Sequence, residues 1–286
     1  MIPSELARPI ESPIPLMKAI KNEAQIKGMY TSHFRDNLAL IILFAEINEA
    51  VKKGRIIRES QVIMRSKELR ESQKGFKGFS FYPIAATGPN GAIVHYRSRV
   101  YESPKLSLTA PFLMDSGGHY LDGTTDLTRV LYFGARPNGD LKTNYTAVLQ
   151  GNLDLEREVW EEGLTGDHFD AIARKPLQKL GLNYGHGTGH GVGSYLCVHE
   201  GPVSLSPNAN KYPIQAGMSL SNEPGYYKEG EYGIRIENIL LCQKNSEGLL
   251  YWKNLDNVPY ERKLIDKKVL DEATIHHIDT YHSKCY

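Results

Sequence analysis

The order of periodicities along this chain constrains its fold more than any other feature. Two helical stretches are followed by a long glycine-rich, β-type stretch, and the same order then recurs. Leu38, Ile41, Ile42, Ala45 and Val51 keep helical spacing, and Gly54 falls where a C-cap glycine would, which predicts a helix over 20–54. A second helix is predicted over 59–71. Residues 76–133 are rich in Gly, Tyr, Thr and Val, with strand-like runs at 79–82, 93–96, 111–115 and 125–133. Helices are then predicted over 141–160 and 167–180. Asp167 is the expected N-cap of the latter, and Pro176 is expected to kink or shorten it. Strand-like sequence runs from 184 to 252, and 260–286 is expected to end in a helix lying on the surface. Helix, helix, strands, given twice, predicts an α+β fold of two αβ halves related by a pseudo-two-fold, with strands in a mixed or antiparallel sheet covered by helices. The repetition is one of element order, not of residues.

Bulk properties narrow the function classes. The 286 residues are 41% hydrophobic, enough for a full core in one large domain or two modest ones. A formal net charge of +1 gives no basic or acidic bias toward nucleic acid or an anionic membrane. The longest apolar run, 38–45, is far too short for a membrane span. Pro3, Pro9, Pro13 and Pro15 mark residues 1–18 as a stiffened linker or arm rather than a signal peptide. Cys197, Cys242 and Cys285 form neither a disulfide framework nor a zinc pattern, which points to a reduced, cytoplasmic protein. The sequon at Asn144 falls inside a predicted helix and is read as chance.

Three segments carry the chemistry. In the first, Asp115-Ser-Gly-Gly-His-Tyr-Leu-Asp-Gly-Thr-Thr-Asp126, an apolar run leads into Asp115, a turn at Asp122-Gly123 follows, and a β-rich run carries Asp126. The two carboxylates fall on neighbouring strands; by itself this motif also fits two solvated carboxylates on a hairpin. In the second, residues 184–202, His186, His190 and His199 are interleaved with glycines that let backbone approach an ion or substrate. Its glycine spacing superficially suggests a phosphate-binding turn, without the strand, helix and acid that such a turn needs. In the third, residues 221–238, Pro224-Gly225 marks a turn and Gly233 to Leu241 reads as one buried strand containing Glu237. A lone carboxylate there is costly unless paired or metal-bound, and Arg235, two residues earlier, shares its face, so a buried Arg–Glu pair is the competing explanation. Glu229 and Glu231 are expected at a solvated tip.

Four carboxylates and an imidazole, with no thiolate, suit hard to borderline divalent ions. One ion does not need four carboxylates, whereas two ions bridged by carboxylates and an acidified water do. No Gly-x-Ser-x-Gly elbow or cysteine signature supplies a rival nucleophile.

These motifs, with Gly91-Ala-Ile-Val-His95, His186-Gly-Thr-Gly-His190-Gly-Val-Gly193, Val198-His-Glu-Gly-Pro202 and Asn222-Glu-Pro-Gly-Tyr-Tyr227, resemble the pita-bread metallopeptidases, which include methionine aminopeptidase, prolidase, creatinase and aminopeptidase P. Within that family the likeness is strongest to the catalytic domain of the Xaa-Pro aminopeptidases (aminopeptidase P), and it covers nearly the whole chain. The resemblance implies a pita-bread fold with a curved, mainly antiparallel sheet over 19–286, and family N-terminal creatinase-like domains absent. It implies that Asp115 binds one metal ion, His190 and Glu223 the other, and that Asp126 and Glu237 bridge them. His95 and His199 would bind substrate, steer the proton and stabilise the tetrahedral intermediate. His186 would be a third pocket histidine, and Arg235 would brace the site. The implied reaction is attack by a metal-bridging hydroxide that releases the N-terminal residue from peptides with proline second. Mn2+ is the first choice of ion, with Co2+, Zn2+ or Fe2+ as alternatives, and the implied assembly is a homodimer. His119, where Gln is common, is expected to be peripheral, and Asn222 a tolerated variation. A non-catalytic peptide-binding module of the same fold and a prolidase- or creatinase-like hydrolase are the alternatives.

Overall fold

The computed structural model describes residues 10–99, 101–208 and 211–285. A short helix α1 (Ile14–Ala19) precedes the two halves. The first half holds α2 (Glu23–Lys52), α3 (Glu59–Glu71), β1 (Phe76–Phe79), β2 (Ile84–Thr87), β3 (Phe112–Ser116), β4 (Gly118–Tyr120), β5 (Gly123–Thr124) and β6 (Leu127–Leu131). The second holds α4 (Gly139–Glu156), β7 (Val159–Trp160), α5 (Gly166–Gln178), β8 (Gly189–His190), β9 (Ser204–Leu205), β10 (Ser219–Asn222), β11 (Gly225–Lys228), β12 (Tyr232–Arg235), β13 (Asn238–Lys244) and β14 (Leu250–Asn254). Helix α6 (Glu272–Ser283) closes the chain.

Local signals set the long first helix. Asn22 and Gln25 form a reciprocal capping box at its start. At its end Gly54 takes φ +75°; its N–H reaches the Val51 carbonyl at 3.0 Å, while Arg55 N–H reaches Ala50 at 3.0 Å. That is the paired closure for which a glycine is favoured. Leu40, Leu43, Phe44 and Ile47 of α2 then bury with Val62 and Leu69 of α3 against Ala85, Phe112, Met114 and Leu127 of the sheet. In the second half, Phe169 and Ala173 of α5 pack with Trp160, Leu220, Leu240 and Trp252. A cluster with Ile84, Leu113 and Val130 from one half and Leu149, Leu153, Ile234 and Ile236 from the other joins them.

Every strand pairing among the described residues is antiparallel. The strands divide into short sheets, β2-β3-β6, β1-β4-β5, β10-β13-β14-β7, β11-β12 and β8-β9. Both halves use a nested arrangement. An outer pair, β3 with β6, encloses the excursion through β4 and β5, and likewise β10 with β13 encloses the β11–β12 hairpin.

Several boundaries differ from the sequence reading. The run 79–82 lies between two strands, because β1 ends at Phe79 and β2 begins at Ile84. The run 93–96 is not a strand: a 3-10 turn over Gly88–Ala92 leads into it, and Ile93 is exposed. The predicted helix 141–160 stops at Glu156, and Val159–Trp160 pairs with β14. Thr165 caps α5, while Asp167, in the first turn, accepts from the Thr165 hydroxyl; the helix runs through Pro176 and ends two residues later. The buried stretch 233–241 is two strands that change partners at Ile236-Glu237. Helix α6 lies on the surface as expected, with Glu272, His276, Asp279 and Thr280 exposed, while Ile278 and Tyr281 on its inner face bury in the core. Asn144 is buried on α4 and donates to the Tyr232 hydroxyl at 3.0 Å, which fits its sequon being chance. No helix among the described residues is long and apolar enough to cross a membrane.

Candidate active site

The nested hairpins explain how residues far apart in sequence meet. Asp115 lies on β3 and Asp126 immediately precedes β6, so both sit at the base of the first excursion. Glu223 immediately follows β10 and Glu237 immediately precedes β13, at the base of the second. The halves are stitched there, since Glu237 N–H donates to the Thr128 carbonyl at 3.2 Å. His190 ends β8, whose neighbour Gly191 bridges to Leu220 of β10. All five line a cleft of about 260 Å3, together with Phe81, Ile84, Val94, His95, His186, His199 and Arg235.

Three overlapping sets, Asp115/Asp126/Glu237, His190/Glu223/Glu237 and Asp126/His190/His199, each offer one ligand atom per residue, with those atoms within 4.8 Å of one another. Asp115 Oδ1, Asp126 Oδ1 and Glu237 Oε1 are buried and accept no hydrogen bond. Buried carboxylate oxygens left without donors are costly, and facing one another they repel. Divalent cations remove both costs, and an oxygen-rich set with one imidazole is the donor chemistry such ions take. The residues therefore fit a dinuclear centre.

The electrostatics agree. Burial first, then the neighbouring carboxylate charges, push Asp126 and Glu237 well above the usual carboxylate range. Burial opposes the charged forms of His190 and Glu223 too. Their mutual hydrogen bond and charge outweigh it, so His190 rises to about 9 and Glu223 falls to about 2. Nε2 of His190 stands 3.3 Å from Glu223 Oε1 and 3.6 Å from Asp126 Oδ2. Its Nδ1–H donates to the Gly191 carbonyl at 3.0 Å, which turns Nε2 toward the carboxylates.

A second layer holds these groups. Arg235, buried, reaches Asp115 Oδ2 at 2.5 Å and the Tyr227 hydroxyl at 2.7 Å. It does not pair with Glu237 as the shared strand face suggested, because the strand break at Ile236 separates them. Glu237 Oε2 instead accepts from the Thr128 hydroxyl at 2.7 Å. Ser221 accepts from His190 N–H at 2.9 Å and donates to Glu223 Oε1 at 3.0 Å. His186 donates from Nδ1 to the Gly187 carbonyl and accepts at Nε2 from Tyr227, both at 2.8 Å. Burial lowers its pKa, so it is neutral at pH 7. His199 meets the His190 ring edge-on, 4.3 Å between centroids, and burial followed by the His190 charge lowers its pKa. His95 is exposed at the rim of the cleft. His119 is peripheral, facing the Thr124 hydroxyl at 3.1 Å. Asn222 is buried and donates to the Asn152 carbonyl at 2.8 Å, tying β10 to α4. Asp122 combines its turn with an ion pair to Arg35 at 2.9 Å. Thr128, Ser221 and Tyr227 carry no sequence signal of their supporting roles beyond lying two to four residues from Asp126 or Glu223, since hydroxyl residues are common in strands.

A family model described as metallopeptidase family M24 matches residues 39–244. The chain belongs to this metallopeptidase family. It is 39% identical over 303 residues to aminopeptidase P1 of Arabidopsis thaliana, covering 96% of this chain and 47% of that protein. Aminopeptidase P1 of Lotus japonicus is 38% identical over 304 residues, covering 96% and 46%. Among solved structures, the X-prolyl aminopeptidase from Caenorhabditis elegans, a cytosolic enzyme with a di-nuclear active site, superposes with TM-score 0.94 at 34% identity, covering 99% of this chain and 47% of that one. Prolidase from Pyrococcus furiosus gives TM-score 0.74 at 26% identity, covering 87% and 68%. This M24 chain thus has the pita-bread fold, with two αβ halves, and spans 38% to 48% of the length of the curated relatives it matches.

Proposed function

We propose that this chain is the catalytic domain, over residues 19–286, of a dinuclear-metal aminopeptidase that releases the N-terminal residue from peptides with proline second. One observation carries the reading: five potential ligands converge from both halves while three of their buried carboxylate oxygens have no hydrogen-bond donor. Similarity to an X-prolyl aminopeptidase over 99% of the chain supports the substrate class.

In this reading Asp115, Asp126, His190, Glu223 and Glu237 would hold two divalent cations, with Asp126 and Glu237 serving both. When bound, such a pair supplies Lewis acidity and an acidified water. The chain's own groups do the rest. Arg235 fixes Asp115, and Thr128 fixes Glu237. His95 and His199, at the cleft, bind the peptide and carry the proton to the leaving proline nitrogen. His186, locked neutral between Gly187 and Tyr227, walls the pocket. Phe81, Ile84 and Val94 give it an apolar side that suits a proline ring, which brings no N–H of its own. The same reading takes Mn2+ as the ion, the cytoplasm as the compartment, a homodimer as the assembly, and peptides rather than nucleic acid or membrane as the partner.

Purified protein loaded with Mn2+ is expected to bind two ions and to release arginine from an Arg-Pro-Pro peptide, and Asp126→Asn or Glu237→Gln to abolish turnover. Fewer than two ions per chain sinks the dinuclear assignment. Two ions with cleavage of Xaa-Pro dipeptides alone makes it a prolidase instead.

A further inference from the structure

His199 is held differently from the other residues of the cleft. Its imidazole, covered on one side by the His190 ring and open on the other, makes no hydrogen bond among the described residues. Just before it, Leu196 and Cys197 take φ of +57° and +45°. Residues other than glycine persist there only where their surroundings hold them.

The restraints lie in the backbone of the loop and in Glu200, the next residue. Gly193 N–H donates to the Cys197 carbonyl at 3.0 Å, and the Thr124 hydroxyl to the Leu196 carbonyl at 3.0 Å. Glu200 N–H donates to the Gly191 carbonyl at 2.8 Å. The buried Glu200 carboxylate does not line the cleft; Lys21 Nζ stands 2.8 Å from it and the more exposed Lys18 Nζ 3.4 Å. The Lys21 side chain is 2% exposed, a burial that lysine tolerates only when paired. Its backbone is itself anchored: Lys21 N–H donates to the Gly217 carbonyl at 2.9 Å, and Ile20 bridges to Met218. Gly217 and Met218 lead directly into β10, the strand that delivers Glu223. Lys21 lies between α1 and α2, outside the 39–244 span of the family match.

We propose that Lys21, through its buried ion pair with Glu200, is the positioning residue for His199: it ties the loop that carries this histidine to the frame that carries Glu223. The inference rests on the functional reading above for what His199 does. The geometry supplies a rigid path, Lys21 to Glu200 to the His199 backbone. No direct contact from Lys21 to the cleft is involved.

A double-mutant cycle tests it, with Lys21→Met, His199→Ala and the pair compared with the unaltered Mn2+-loaded chain on an Xaa-Pro peptide. Lys21→Met is expected to lower kcat/KM by roughly ten- to a hundredfold, as a small misplacement of an active group does. On the His199→Ala background the same change is expected to cost less than about twofold, because coupled positions are non-additive. Lys21→Arg should recover most of the loss. In metal-free protein, hydrogen exchange at the Gly193 and Glu200 amides should rise in Lys21→Met while the α4 amides stay protected. Equal losses on both backgrounds, or unchanged exchange in the 191–200 segment, overturn the proposal and leave Lys21 a general stabiliser. If Lys21→Met does not fold, Lys21→Met/Glu200→Gln, which leaves no unpaired buried charge, runs the same cycle. An unaltered chain that cleaves no Xaa-Pro peptide sinks the functional reading alone, and the exchange measurement still decides whether Lys21 holds the loop.

Discussion

Thr128 sits two residues beyond Asp126, and its hydroxyl both donates to Glu237 Oε2 and accepts from Arg235 Nε at 3.3 Å. Thr128→Val keeps the shape and removes both bonds, so Glu237 loses the donor that orients it. Metal affinity is expected to fall about ten- to a hundredfold with the fold intact, as for other partners of ligating groups; metal titration checks this, and an unchanged affinity removes Thr128 from the site. The site's charges also set a pH dependence. In the metal-free chain His190 is raised to about 9 from 6.5, so its contribution to stability is complete below pH 6.5 and is lost as pH rises through about 9. Asp126 and Glu237, also raised, act in the same direction, because the folded state holds their protons longer than the unfolded state does. Glu223, lowered to about 2, has delivered its contribution above its ordinary value of 4.5 and is flat in this window. Thermal unfolding in chelator should therefore show a midpoint that falls between pH 6.5 and 9. Divalent ions, by replacing the protons, should flatten that slope; a midpoint that rises would count against the crowding of carboxylates described above.

At the scale of elements, the rim carrying His95 depends on a close approach between two glycines. A Cβ on Gly233 of β12 would lie 1.7 Å from the Gly91 carbonyl oxygen, backbone that cannot swing aside. Gly233→Ala is expected to push the 88–92 turn, and His95 after it, away from the cleft. The cost in stability should be about 1–3 kcal/mol, the range for overpacking, and kcat/KM should fall while far-ultraviolet circular dichroism is unchanged. Full activity in that variant would mean that the turn does not position His95. Ile93, Val94 and Tyr96 have strand-like residue types, yet 93–96 pairs with no strand among the described residues: Ile93 N–H returns to the Asn90 carbonyl at 3.1 Å, Tyr96 N–H to the Ile93 carbonyl at 3.0 Å, and the Tyr96 hydroxyl donates to Glu59 of α3 at 2.9 Å, far away in sequence. The helices were more legible. A capping box at Asn22 and a C-terminal glycine at Gly54 act within a few residues, so α2 and α3 follow the local pattern closely.

At the scale of the molecule, a buried cation joins the halves. Arg129, fully buried, donates to the carbonyls of Thr128 and Glu237 at 2.9 and 2.7 Å, and to Val258, Asn238 Oδ1 and the Tyr281 hydroxyl of α6. Its guanidinium lies over the Tyr260 ring, 4.7 Å from the centroid. Arg129→Met is expected to cost about 3–5 kcal/mol, because several buried acceptors lose their donor together. Denaturant unfolding measures the loss. A loss under about 1 kcal/mol would show that α6 and the two halves are held by apolar packing alone, since surface-like substitutions fall in that range.

The sequence by itself determined the periodic order of elements, the local helix ends, and an inventory of four carboxylates and one imidazole that suits a pair of divalent ions. It also carried the resemblance that links these residues to one another. Tertiary structure decided which partners complete each group. Arg235 pairs with Asp115 rather than with Glu237, Thr128 supports Glu237, and Glu200 reaches back to Lys21, 179 positions earlier. The physical reason is range. Caps and periodicity are set by neighbours within a turn or two, so residue types reveal them. The partners of a buried charge are set by which strands adjoin in the sheets, and a strand's residue types do not say which strand lies beside it.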